Sequence, residues 1–145
     1  MIQRKQSVYL FLAALLSAGV FFFNLYNYHV LVSGVDTLKQ LRVMDDFPSL
    51  LIALVITALP FISIFLFGNR KLQIRLCLIS ILCDVAFITL SLWRVSSLGK
   101  TDTPPVSGYY WVGSVLPVIA MVLLFLAISG IRKDEKLVKS VDRLR

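Results

Sequence analysis

Two apolar runs, residues 48–67 and 76–93, flank a short basic interruption, Gly68-Asn69-Arg70-Lys71-Leu72-Gln73-Ile74-Arg75. At 1.5 Å rise per residue the runs extend about 30 and 27 Å, enough to cross a ~30 Å hydrocarbon layer, the second only just. Backbone polar groups in hydrocarbon must find partners within their own segment, so the pair reads as a helical membrane hairpin. Lys and Arg resist translocation, and the basic turn therefore marks the cytoplasmic side.

Composition agrees: 58% of the 145 residues are hydrophobic and 16% charged, against about 25% charged in soluble domains. The length suits one domain, residues 1–145, with no repeat and no linker. The net charge of +7 does not point to nucleic acid, because the Lys and Arg sit beside apolar spans.

Two more spans complete the pattern. After the basic leader Met1-Ile2-Gln3-Arg4-Lys5-Gln6, an apolar run covers about 8–26 and reads as an uncleaved first span, since Val20-Phe21-Phe22-Phe23 carries it past a signal-peptide core. Within it, Ala14 and Ala18, and Ala13 and Ser17, have the small-xxx-small spacing that lets helices approach closely. The fourth span covers 109–131 and opens on the interfacial aromatics Tyr109-Tyr110-Trp111. Pro60 and Pro117 lie inside spans two and four and should bend them, with Thr57 and Ser63 helping to satisfy the backbone that Pro60 frees. Residues 30–47 form an exterior loop that the pattern leaves open: Val30-Leu31-Val32 before Ser33-Gly34 suits a strand and turn, while Val35, Leu38 and Leu41 equally suit one face of a helix. The tail, 132–145, repeats Leu137, Val138, Val141 and Leu144 at helical spacing and reads as a cytoplasmic amphipathic helix, for anionic lipid or a partner. Eleven Lys and Arg fall on the inner side and four on the outer, which sets both termini in the cytoplasm.

Asp84 is the residue that resists a bland reading. An acid at the centre of a span costs roughly 2.5–3.5 kcal/mol on insertion scales, so it is normally turned inward, protonated or partnered. Cys77, Ser80, Phe87, Ser91 and Arg94 share its helical stripe. Asp84, Ser80 and Ser91 thus form a candidate intramembrane polar site, either for hydrogen bonding between helices or for a proton or cation relay.

Other chemistry is scarce. One histidine, His29, and two cysteines, Cys77 and Cys83, give no metal-ligand spacing and no paired haem ligands, and no phosphate loop or nucleophile with a base appears. The expectation is a non-enzyme without cofactor or metal.

The residues Met1-Ile2-Gln3-Arg4 with Gln6-Ser7, Tyr9-Leu10 and Leu12-Ala13, then 69–76, then 131–138 through Asp142-Arg143-Leu144-Arg145, resemble a family of small bacterial four-span integral membrane proteins catalogued as a domain of unknown function. The resemblance implies a bacterial inner-membrane protein and supplies no activity. Its matching segments all fall on the cytoplasmic side, where Arg4, Gln6, Arg70, Gln73, Arg75, Arg132, Asp134 and Arg143 are expected to assemble into one polar surface, with Asp134 or Glu135 pairing Arg70 or Arg75; the alternative is that each base faces lipid headgroups without specific pairing.

The expected fold is therefore all-α: four transmembrane helices in an antiparallel bundle plus the cytoplasmic amphipathic helix. The expected role is an accessory or scaffold subunit in the lipid bilayer, bound to a membrane-protein partner or a second copy. The alternative is a small transporter or proton/cation channel using Asp84.

Overall fold

The computed structural model describes residues 3–32, 35–100 and 104–142, and side chains within 6–31, 35–100 and 104–135 of these. Along the chain run α1 (Gln3–Gly19), β1 (Tyr26–Val32), β2 (Val35–Leu41), a short 3-10 turn (Val43–Asp45), α2 (Phe47–Phe65), α3 (Arg70–Leu98), β3 (Ser107–Tyr110) and α4 (Val112–Asp142). Each helix packs on two others: α1 on α2 and α4, α3 on α2 and α4. The three strands form an antiparallel sheet of order β2-β1-β3 at one end.

Three helical segments, Phe47–Phe65, Arg70–Leu98 and Val112–Glu135, are long and apolar enough to cross a membrane; the apolar part of α1, Gln6–Gly19, is shorter. Large apolar side chains such as Phe11, Leu54, Leu82 and Val122 point outward on the four helices, the arrangement hydrocarbon surroundings favour and water does not. These features mark a membrane protein. The interior holds two clusters. Val20, Leu25, Ala53, Ile56, Phe87 and Leu116 pack toward the sheet, and Leu10, Ala13, Cys77, Ile81 and Leu124 pack toward the opposite end.

Several boundaries differ from the sequence expectation, each for a local reason. The first helix does not continue to residue 26. It tightens at its end, with the amides of Val20 and Phe21 donating to Ser17 and Ala18 at 3.2 Å, and the Tyr and Val residues that follow pair as β1 from Tyr26, as aromatic and β-branched residues favour. The loop left open is a hairpin, with Val32 opposite Val35; Ser33 and Gly34 lie outside the described residues, and the helical alternative is overturned. The basic stretch 68–75 is not a turn. Asn69 caps α3 through its side chain, which accepts from the Leu72 amide at 3.3 Å, and Arg70, Lys71, Leu72 and Gln73 are good helix formers. The bend is confined to the residues just before them. The third span is correspondingly longer than 76–93, at 29 residues. The tail is no separate amphipathic helix: α4 runs through to Asp142, because nothing between Ile131 and Asp142 breaks it. The apolar face assigned to Leu137, Val138, Val141 and Leu144 lies outside the described side chains.

Both prolines sit in unbroken helices and are buried. The hydroxyls expected to repair the backbone beside Pro60 bond elsewhere, Thr57 to the Ala53 carbonyl at 2.9 Å and Ser63 to that of Leu59 at 2.9 Å. Each reaches its own i−4 carbonyl, as hydroxyls in helices do.

Gly113, at the start of α4, lets two backbones touch. Its amide donates to the Asn24 carbonyl at 3.0 Å, and a Cβ there would lie 2.8 Å from the Phe23 carbonyl oxygen and nearer still to that of Asn24. Gly113→Ala is expected to lower stability by about 1–3 kcal/mol, the usual penalty for overpacking. An unchanged thermal midpoint in detergent would contradict this contact.

Candidate functional site

At the end opposite the sheet, α1, α3 and α4 meet in a polar knot. Gln6 is buried at 8% exposure and Asp134 at 6%, and the Gln6 Nε2 donates to the Asp134 Oδ2. Arg70 Nη1 donates to the Asp134 backbone carbonyl at 3.2 Å, so this bond to Asp134 is made through the main chain. Gln73 is turned toward α2, its Nε2 donating at 3.0 Å to the Ser63 carbonyl, which also accepts the Leu66 amide at 3.3 Å where α2 ends. Arg75 and Arg132 are exposed. The side chain of Arg4 and the whole of Arg143 lie outside the described residues. Of the expected surface the fold thus joins Gln6, Arg70 and Asp134, and gives Gln73 a different partner.

Halfway along the helices the interior turns polar again. Cys77, Ser80 and Asp84 have no exposed surface and Phe87 only 1%, so the stripe faces inward. Neither carboxylate oxygen of Asp84 has a hydrogen-bond partner, and the hydroxyls of Ser80 and Ser17 have none. The interhelical bond expected of Asp84 is not made. Ser91 does not join this group: its hydroxyl donates to the Phe87 carbonyl at 2.8 Å, and the residue lines a separate cavity of about 170 Å³ with Ile88, Tyr110 and Ser114. By sequence spacing Ser17 is only a small residue four positions from Ala13. Its signal was there, a hydroxyl at mid-span, but only the packing brings it inward.

On the outside of α1 and α2 lies a groove of about 340 Å³. Its floor is small, Ala14, Ala18 and Ala58, and Phe11, Leu54 and Phe61 wall it. The Ala14 and Ala18 spacing seen in the sequence forms part of this floor.

Under the sheet, Arg94 leaves the Asp84 stripe for α2. Its Nη1 donates to the Ser49 Oγ at 3.1 Å, and its Nε lies 3.9 Å from the Asp46 Oδ2. Asp46 caps α2, accepting from the Ser49 amide at 3.2 Å and hydroxyl at 2.8 Å. Burial alone raises the Asp46 pKa, but the two Ser49 bonds and the Arg94 charge together outweigh it and hold the carboxyl below its ordinary range. A depressed pKa contributes stability that is complete above the unfolded value, near 4, and is lost as the pH falls through the folded one. Asp46→Ala is therefore expected to cost about 1 kcal/mol near neutral pH, the usual worth of an N-cap. Thermal unfolding of both proteins should give a gap that narrows below about pH 4; a gap independent of pH would remove the charged cap from the account.

Among the described residues no three His, Cys, Asp or Glu side chains gather as a metal site would require. A family model described as a domain of unknown function, DUF4293, matches residues 2–144. The chain belongs to that family. No curated protein and no solved structure matches it significantly.

Proposed function

We propose that the four helices are four crossings of a bacterial inner membrane, with both termini cytoplasmic, and that the protein is a non-enzymatic accessory subunit holding a transmembrane helix of a partner protein. The fold class is then a four-helix transmembrane bundle capped outside by the sheet. Charge supports the orientation. Arg70, Lys71, Arg75, Arg132 and Lys133 lie at the end away from the sheet, as the positive-inside bias requires. The short first crossing is compatible with a bilayer that thins locally or with a partner beside it. Cysteines replacing Lys39 and Lys133 test the orientation. Impermeant maleimide is expected to label the first in intact cells and the second only after lysis; the reverse pattern would invert the topology.

The groove between α1 and α2 is the observation that carries the accessory role. Lipid tails gain nothing from small residues, whereas a helix packs closely against them. The floor of Ala14, Ala18 and Ala58 between aromatic walls fits such a helix. A photo-crosslinker replacing Leu15 or Leu54 is expected to give one protein adduct, lost in Ala14→Leu and Ala18→Leu with the thermal midpoint preserved. Adducts to a second copy would make the partner this chain itself. Lipid adducts alone would remove the accessory reading.

A further inference from the structure

We propose that Ser17, Ser80 and Asp84, with the backbone carbonyl of Ile56, form a sodium site at the centre of the four helices. The inference is independent of the partner groove. Asp84 is the only charged residue in the apolar stretches 6–19, 47–65, 76–93 and 112–131, and it has no exposed surface. Nothing else in these stretches can balance a carboxylate. A buried charge without a partner is strongly unfavourable, so a proton or a cation must neutralise it.

Register places Ser17, Ser80 and Ile56 at one depth, about one helical turn from Asp84. Gln6 and Arg70 both bond Asp134, and α1 and α3 leave that level in the same direction. Ser17 is eleven residues on and Ser80 ten, about 16.5 and 15 Å along their axes, with Asp84 one further turn along. On α2, Gln73 bonds the Ser63 carbonyl; seven residues back from Ser63 is Ile56, and seven forward from Gln73 is Ser80. Ile56 is buried, and Pro60, four residues on, deprives its carbonyl of the usual amide donor.

The hydroxyls differ from their neighbours. Thr57, Ser63, Thr89 and Ser91 each donate to the carbonyl four residues before, while the buried hydroxyls of Ser17 and Ser80 make no bond. Four oxygens of three kinds, bearing one negative charge, suit a hard monovalent cation. Calcium takes 6–8 oxygens, commonly from several carboxylates, and magnesium keeps several waters. Carbonyls freed from helical bonding coordinate sodium in the broken helices of some transporters, and Pro60 frees that of Ile56 within a continuous helix.

Protons compete for the same carboxylate. The other titratable groups of the four apolar stretches are Cys77 and Cys83 on α3 and Tyr9 on α1; α2 and the apolar part of α4 contribute none. Sodium affinity should accordingly fall as the pH is lowered.

The test is thermal unfolding of the full chain in detergent, with sodium chloride replacing choline chloride at constant ionic strength. The midpoint is expected to rise with the logarithm of sodium concentration once the site fills. Asp84→Asn should stay folded and lose the response. Ser17→Ala and Ser80→Ala should each weaken apparent affinity about tenfold or more, as for a lost bond to a charged group, and Pro60→Ala, which restores the amide donor, should weaken it too. If Asp84→Asn does not fold, the serine variants carry the test. A midpoint indifferent to sodium overturns the site. So does one that follows pH alone, which would mean a simply protonated Asp84, and so does a sodium response that survives in the serine variants and Pro60→Ala.

Discussion

The seam between α1 and α4 is the contact on which the rest of the structure depends. Three glycines bring the two segments together along its length: Gly113 against the Phe23 and Asn24 backbone, Gly19 with the Leu116 side chain 2.9 Å from where a Cβ would stand, and Gly130 with Gln6 at 3.1 Å. Between hydrocarbon-facing helices there is no hydrophobic drive to associate, so close van der Waals contact must supply it. Ala13, Ala120 and Ala127 are fully buried, and their small size extends this close approach. With α1 and α4 held together, the ring of helix contacts through α2 and α3 closes and the inward stripe of α3 is sealed.

The two ends are secured by polar groups that the seam positions. Below, Gln6 reaches Asp134 across it, and Arg70 ties α3 to the same point through a backbone carbonyl. Above, the Trp111 amide donates to the Leu25 carbonyl at 3.0 Å and the Leu25 amide to that of Leu41 at 2.8 Å. Arg42 Nε donates to the Asn24 Oδ1 at 2.9 Å, and Arg94 links α3 to the cap of α2. Side chain and main chain are mixed in these ends. That arrangement satisfies helix-terminal groups which water alone would otherwise serve.

The interior between the ends is apolar except for one layer. Asp84 falls between the two hydrophobic clusters on α3, with Ile81 on one side and Phe87 on the other, Ser17 falls between Ala13 on α1 and Val20 just past its end, and Ser80 lies one turn before Asp84. A protein selecting only for stability would fill this layer with Leu or Ala, because a partly satisfied polar group in low dielectric is worse than an apolar one. Function is the natural reason to retain it. The outward groove on α1 and α2 is chemically distinct from this layer, apolar and floored by alanines. The fold therefore separates an apolar outward groove from a polar inward layer.

By itself the sequence determined the long apolar helices, the inward face of α3 and the family, since hydropathy, a 3.6-residue period and Asp84 at mid-span are local properties of consecutive residues. It misplaced the ends of α1 and α3 and divided α4 from its tail, because a cap such as Asn69 and the cost of ending a helix depend on a few atoms that average hydropathy does not see. The sheet was half legible: Val30-Leu31-Val32 suited a strand, but its pairing with β3 joins residues about eighty apart in the chain. Only the tertiary structure decided that Arg70 meets the Asp134 carbonyl, that Ser91 leaves the Asp84 stripe and that Ser17 is buried without a partner. Those outcomes rest on which helices neighbour one another and at what height. Such registers are fixed by close packing between distant segments, and no window of consecutive residues contains both partners.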